Sequence, residues 1–150
     1  MSRLQELVGH KDFEKNIKAL ICEFKSASRV SKLMDPNFVA CSEKEQTVTI
    51  SFPVQECQLN EHDTMHAGFI AAAFDEALGI FAAYLGEGKP TVSINISLNY
   101  LKPIPMGDEI LITAKATSLG RRLMTMSGEC RLKSSGVLTN TALATFAVVG

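Results

Sequence analysis

The sequence predicts an α+β domain in which an antiparallel sheet wraps round one long central helix. Three observations carry that expectation. Residues 67–85 would form a helix that is apolar on nearly every side, and such a helix has to be surrounded. Residues 91–101, 109–119, 122–132 and 137–149 read as a run of strands. The turns between these strands are short, which favours antiparallel pairing of neighbours in the chain.

Each element has its own signal. Phe13, Ile17, Leu20 and Phe24 recur at helical spacing while Lys15, Lys18 and Glu23 fall on other faces, so residues 13–28 form an amphipathic helix. Asp35-Pro36-Asn37 is a turn. Residues 38–41 and 47–54 follow as a hairpin, the second strand alternating Val48, Ile50 and Phe52 with Thr47, Thr49 and Ser51. A polar loop, 60–65, leads into the central helix, whose Phe69, Ile70, Phe74, Leu78, Phe81 and Leu85 leave it little polar surface. Gly86 and Gly88 end it, helped by Pro90. The next strand alternates through Val92, Ile94, Ile96 and Leu98; turns at 103–108 and 133–136 join the later ones. With no repeat or linker, residues 1–150 read as one domain, with 1–36 as a helical N-terminal extension.

Bulk properties narrow the function. A chain of 150 residues buries roughly two thirds of its unfolded surface. Its 46% hydrophobic and 21% charged residues describe a globular protein. A formal net charge of -1 provides no basic excess, so no nucleic-acid partner is expected. Cys22, Cys41, Cys57 and Cys130 are scattered, which argues against a disulfide scaffold or zinc ribbon and for buried free thiols in a reducing compartment. The N-terminal stretch carries Glu6, Asp12 and Glu14 and no long apolar run, unlike a secretory leader or an acid-poor transit peptide. The expected location is the cytoplasm, with the mitochondrion left open. Asp75 and Glu76 in the middle of 67–85 argue for a core helix, not a membrane span, and no membrane partner is expected.

The segment with chemical content runs from Asn60 to Asp75. Thr64-Met65-His66-Ala67-Gly68 opens the helix, where backbone N–H groups lack partners and the dipole is positive. Small residues let a ligand approach those donors, which suits an oxyanion hole for a thioester carbonyl. Asp75 is a carboxylate in an apolar helix. It reads either as a functional group or as part of an exposed face or buried ion pair, with Asp75 or the adjacent Glu76 reaching solvent or a subunit edge. Asn60 alone would be a turn former, Asp63 or Thr64 a helix cap, His66 a structural histidine and Ser93 a chance polar strand residue. His62 and His66 lie four apart but lack a third ligand, so no metal is expected, and no cofactor. Gly86-Glu87-Gly88-Lys89 lacks phosphate-loop spacing and follows a helix.

Together, His66-Ala67-Gly68, Asp75, Ser93 and Asn99-Tyr100-Leu101-Lys102-Pro103 resemble the phenylacetate-pathway (PaaI-like) branch of the hot-dog thioesterases, over residues 48–150. The resemblance implies a hot-dog fold that hydrolyses an acyl-CoA to a free acid and coenzyme A, in lipid metabolism. Asp75 matches the family's base or nucleophile. Ser93 matches the residue holding the attacking water. Asn60 and the Ala67 N–H match the groups that polarise the carbonyl, while His66 braces the loop or sits near the leaving thiolate. Gly68, Tyr100, Lys102, Arg121 and Arg122 are the expected substrate contacts. The two arginines of a tight connection, with Lys102, suit coenzyme A phosphates, although solvated loop charges would look the same. Ala67 stands where the branch usually has its first Gly, which keeps the N–H but excludes a Gly-specific backbone angle. Glu61-His62-Asp63 makes the loop more charged than the branch pattern.

Eight residues of helix separate Ala67 from Asp75, a rise of roughly 12 Å. Both can serve one carbonyl only if they come from different subunits, which agrees with the family's interface sites and its dimers that often pair into homotetramers. A non-catalytic acyl-CoA-binding hot-dog module and a hot-dog hydratase or dehydratase are the competing readings. Asp75 weighs against the first, and the absence of the usual Asp-to-His motif against the second.

Overall fold

The computed structural model describes residues 12–150. The expected N-terminal extension is seen from residue 12; residues 1–11 lie outside the described residues. Helix α1 (Phe13–Ala27) starts on Asp12, whose carboxylate accepts the Lys15 amide at 3.1 Å. It buries Phe13, Ile17, Leu20 and Ile21. A short helix, α2 (Arg29–Met34), follows at once, which the periodicity did not resolve. Ser28 both ends α1 and caps α2, its hydroxyl accepting the Ser31 amide at 3.2 Å.

Strands β1 (Asn37–Ser42) and β2 (Thr47–Pro53) form the expected hairpin. Helix α3 (Ala67–Leu85) precedes β3 (Thr91–Tyr100), β4 (Glu109–Leu119), β5 (Leu123–Leu132) and β6 (Leu138–Val148). All pair antiparallel in one sheet of order β1-β2-β4-β5-β6-β3. The expectation that neighbours in the chain pair therefore fails at β3. It lies against β6 at the far edge of the sheet, not against β4, because the chain leaving α3 closes the sheet on the other side of the helix.

Ala73, Phe74, Ala77, Leu78, Ile80, Phe81 and Ala82 of α3 are buried. The helix is long and apolar enough to cross a membrane by length and composition, but here it is the core helix of a folded domain. Its seat is shaped by side-chain size. Ala114, Gly128 and Ala142 stand directly opposite one another on β4, β5 and β6. Residues opposite in an antiparallel pair share a face, so this row of small residues makes a hollow. Phe74 fills it: a Cβ added to Gly128 would lie 3.1 Å from the Phe74 ring. On another side Phe13 of α1 meets Phe81 and Tyr84 edge-on, with ring centroids 6.2 and 5.0 Å apart.

The alternation predicted for β3 is broken. Ile96 and Leu98 oppose Ala144 and Ala142, but the register slips between Ser93 and Asn95, so that Ser93 opposes Phe146. Ile94 is the surplus residue of a bulge. Ser93 thereby joins the helix-facing side, while Val92 and Ile94, expected to share a face with Ile96 and Leu98, are exposed.

A second row of the same face turns polar at one end. Ile50, Ile112, Cys130, Asn140 and Tyr100 oppose one another across five strands. Asn140 is fully buried, and neither amide atom has a partner among the described residues. An unpaired buried amide costs about 1–3 kcal/mol. All four cysteines are free. The expected burial holds for Cys130, whose thiol burial pushes up to about 11. Cys41 is half-buried against the core, and Cys22 and Cys57 are exposed.

Replacing Gly128 by Ala sets a Cβ 3.1 Å from the buried Phe74 ring, which has to shift by a few tenths of an ångström, and is expected to destabilise the fold by about 1–3 kcal/mol in denaturant titration. Adding Phe74→Leu makes room, so the double variant should lose less than the sum of the two single losses. Strict additivity would contradict the seat.

Candidate active site

The start of α3 is held by backbone bonds from three directions. The Met65 amide donates to the Ile104 carbonyl at 2.8 Å, the His66 amide to the Gln58 carbonyl at 2.7 Å, and the Asn60 amide to the Thr64 carbonyl at 2.8 Å. Neither Asp63 nor Thr64 caps the helix, as the sequence suggested. The cap is His66, whose Nδ1 accepts the Gly68 N–H at 2.9 Å. That bond assigns the proton of the neutral ring to Nε2. It also explains Gly68, where a Cβ would lie 3.1 Å from the same Nδ1. His66 thus closes on the first turn of its own helix.

The cap sorts the helix amides. Phe69 and Ile70 donate to the His66 carbonyl and Gly68 to the His66 ring. The Ala67 N–H meets no acceptor among the described residues. It opens on a cleft of about 300 Å³ lined by Asn60, Ala67, Ile70, Tyr100 and Lys102, among others. The Tyr100 hydroxyl closes one side by donating to the Ala67 carbonyl at 3.0 Å. Asn60 lies in the cleft wall, but its amide is largely spent on the loop. Its Oδ1 accepts the His62 amide at 2.9 Å and the Thr64 amide at 3.2 Å, and its Nδ2 donates to the Thr64 hydroxyl at 2.9 Å. One Nδ2 hydrogen remains for a ligand.

The two carboxylates of α3 have opposite surroundings. Asp75 is exposed, and its Oδ1 accepts the Ser93 hydroxyl at 2.6 Å. The β3 bulge brings Ser93 into reach. Glu76 is half-buried and accepts the hydroxyl of buried Ser31 at 2.5 Å. Burial holds the Glu76 carboxyl above its ordinary value; the Ser31 bond lowers it and the Asp75 charge raises it further. The Ser31–Glu76 pair ties the N-terminal helices to α3 one residue from Asp75, and sequence reasoning missed it. Ser31 carried no signal, because its helix is only six residues long.

The remaining candidates sit elsewhere. Arg121 lines a separate cleft of about 430 Å³ beside Gly86 and Lys89, at the opposite end of α3 from Ala67. Arg122 is exposed, and its carbonyl accepts the Val148 amide. His62 is exposed beside Glu61, 3.4 Å away. Within one chain, the cleft at Ala67 and the Asp75–Ser93 pair thus lie apart, separated along α3 by roughly 12 Å.

A curved antiparallel sheet wrapped round one apolar helix, with a donor group at the helix start and a carboxylate two turns in, defines a hot-dog protein. The chain belongs to the thioesterase superfamily, whose family model matches residues 62–139. It is 31% identical over 85 residues to mouse acyl-coenzyme A thioesterase 13, covering 57% of this chain and 61% of the mouse protein. The matched stretch is thus under two thirds of that relative's length. Zebrafish thioesterase superfamily member 2 superposes with a TM-score of 0.76 at 23% identity, covering 89% of this chain and 96% of that one. The phenylacetic acid degradation protein PaaI of Thermus thermophilus, solved as a mutant, superposes with a TM-score of 0.68 at 21% identity, covering 79% and 96%. The fold is the expected hot-dog, of PaaI-like type.

Because the folded protein binds the Glu76 proton more tightly than the unfolded chain, the stability linked to this group is full below the ordinary glutamate value. It is lost as pH rises through the raised one. Glu76→Gln should flatten the pH dependence of the unfolding free energy across that window. Identical slopes in the two proteins would show that Glu76 is not the group responsible.

Proposed function

We propose that the protein is an acyl-CoA thioesterase whose active site is completed across a subunit interface. The observation that carries this is the pairing, on one helix, of an unpartnered amide at Ala67 with an exposed carboxylate held by Ser93. The name of the mouse relative supports the substrate class. In the proposed reaction the thioester oxygen takes the Ala67 N–H and the remaining Asn60 hydrogen. Ser93 occupies one Asp75 oxygen and leaves the other for water. Asp75 removes the water proton as the oxygen attacks the carbonyl carbon. The tetrahedral intermediate then expels the coenzyme A thiolate, which takes up the proton held by Asp75, and the carboxylic acid formed releases its remaining proton to solvent as it leaves. Lys102, in the wall of the Ala67 cleft, supplies a cation for the nucleotide phosphates, and Arg121 and Arg122, at the far end of α3, add theirs only from another subunit.

The uncovered surface supports self-association. Val92, Ile94, Tyr100 and Leu101 are large and 44–58% exposed along the edge strand β3 and its end. Ala67, Gly68 and Asp75 lie exposed on α3. A two-fold pairing of such faces sets the start of one α3 against the middle of the other, within reach of one carbonyl.

Asp75→Asn is expected to cut acyl-CoA turnover by about two to four orders of magnitude in a thiol-release assay with coenzyme A esters of varied chain length. Equal rates in variant and wild type would remove Asp75 from the chemistry.

Subunit mixing tests the shared site. Asn60→Ala and Asp75→Asn proteins, each nearly inactive, are combined, dissociated and reassembled. Random pairing makes about half the dimers mixed, each with one site intact, so about a quarter of wild-type activity returns. No recovery, with subunit exchange proved by mass spectrometry, would mean that each site belongs to one chain.

A further inference from the structure

We propose that Glu76 is a positioning residue: through its bond to Ser31 it fixes the rotation of α3 about its own axis, and so holds Asp75 where Ser93 meets it. The inference rests on the reading of Asp75 as the group that activates water, and begins from a carboxylate that reading does not use. Glu76 is half-buried beside α2 and accepts the hydroxyl of Ser31 at 2.5 Å, and Ser31 is itself fully buried. Taking a carboxylate out of water for one hydroxyl bond contributes little stability. What a directional bond between two elements does contribute is orientation.

Orientation is what the rest of α3 supplies least. The helix is rich in alanine, and apolar burial is non-directional, so burial alone does not settle which residue points where. The bonds that hold its start act on Met65, His66 and Ala67, of which Ala67 is nearest to Asp75, roughly 12 Å along the axis. Beside Asp75 itself, both neighbours are anchored. Phe74 is fully buried in the hollow at Gly128, and Glu76 is bonded to Ser31. Successive residues turn by about 100°, so the two anchors lie about 200° apart round the helix with Asp75 between them. The Ser31 end is held without help from α3. Its amide donates to the Ser28 hydroxyl at 3.2 Å and its carbonyl accepts the Asp35 amide at 2.8 Å. The Gln55 side chain donates to the Leu33 carbonyl at 2.5 Å, which fastens α2 to the chain that leads into the cleft.

The tolerance is small. A side chain ends about 6 Å from the helix axis, so a rotation of about 10° carries it about 1 Å. The Ser93 hydroxyl reaches Asp75 Oδ1 at 2.6 Å, and a shift of that size bends or breaks the bond. A misplacement of about 1 Å can cost a reaction about 100-fold in rate. Glu76 acts on the chemistry without touching substrate, since it faces α2 while Asp75 faces the open strip. The cleft at Ala67 keeps its own supports, so loss of Glu76 should slow turnover and leave binding of the ester as it was.

Thiol release from acyl-CoA esters is measured for Ser31→Ala, Glu76→Ala, the double variant and Glu76→Gln, with folding checked by the denaturation midpoint. Ser31→Ala and Glu76→Ala should each lower kcat about ten- to hundredfold with KM within about twofold of wild type. The double variant should lose no more than the worse single one, because the same bond is removed in every case. Glu76→Gln keeps an oxygen that accepts the Ser31 hydroxyl and should recover most of the rate. Should Glu76→Ala fail to fold, Ser31→Ala and Glu76→Gln carry the comparison. Unchanged kcat in Ser31→Ala, losses that multiply in the double variant, or a Glu76→Gln enzyme as slow as Ser31→Ala would overturn the inference, the last by assigning the effect to charge. A second measurement needs no activity. Ser93→Ala should lower the denaturation midpoint less in the Ser31→Ala background than in wild type, because the bond to Asp75 is already slack there. Equal losses in the two backgrounds would overturn the inference and leave the hydrolytic reading intact. Coupled losses in a protein that releases no thiol from any ester would do the reverse.

Discussion

Everything in this molecule follows from how deeply the sheet can hold one apolar helix. The hollow formed by Ala114, Gly128 and Ala142 admits Phe74 and sets that depth. A curved sheet covers only part of a helix's circumference, and α1 covers a further part through Phe13. What remains is a narrow strip that runs from Ala67 to Asp75. The groups with chemical potential lie on that strip because it is the part of α3 that packing leaves free. The small residues at its start serve two ends at once: Gly68 lets the His66 ring fold back as a cap, and the cap leaves the Ala67 amide as the free donor.

Two adjacent carboxylates illustrate how one helix separates roles. The 100° turn between successive residues sends Asp75 to the open strip and Glu76 towards α2. Glu76 trades hydration for one hydroxyl bond to Ser31, and its raised proton affinity records that exchange. Asp75 keeps its solvent contact and a single bond from β3. The N-terminal helices thus reach the neighbourhood of the site without touching it.

Much of this was legible before any coordinates. The all-round apolar helix, the alternating strands and the hairpin at 37–53 stand close to their predicted bounds, because each rests on a local period. The position of β3 was not legible, since short turns favour neighbouring strands and nothing local records that α3 has to be closed from its far side. The Ser93 side of β3 was hidden for a related reason: the run Val92, Ile94, Ile96, Leu98 looks like one face, and only the partner strand reveals the extra residue. The His66 cap went unread because Asp and Thr are the commoner caps and both precede it. Asn140 had no signal at all, because a single polar residue in an alternating strand looks like surface until its neighbours are known.

The bulge in β3 has a counterpart. The register of β1 against β2 slips between Phe38 and Ala40, which makes Val39 a surplus residue too. β1 and β3 are the two outer strands of the sheet, so both of its open margins are interrupted. A long regular margin is a template on which strands add without limit, the route to fibres and precipitates. Here each margin offers only a short regular stretch before the ladder loses phase. The distortion that turns Ser93 towards Asp75 therefore also leaves this margin without one long regular ladder.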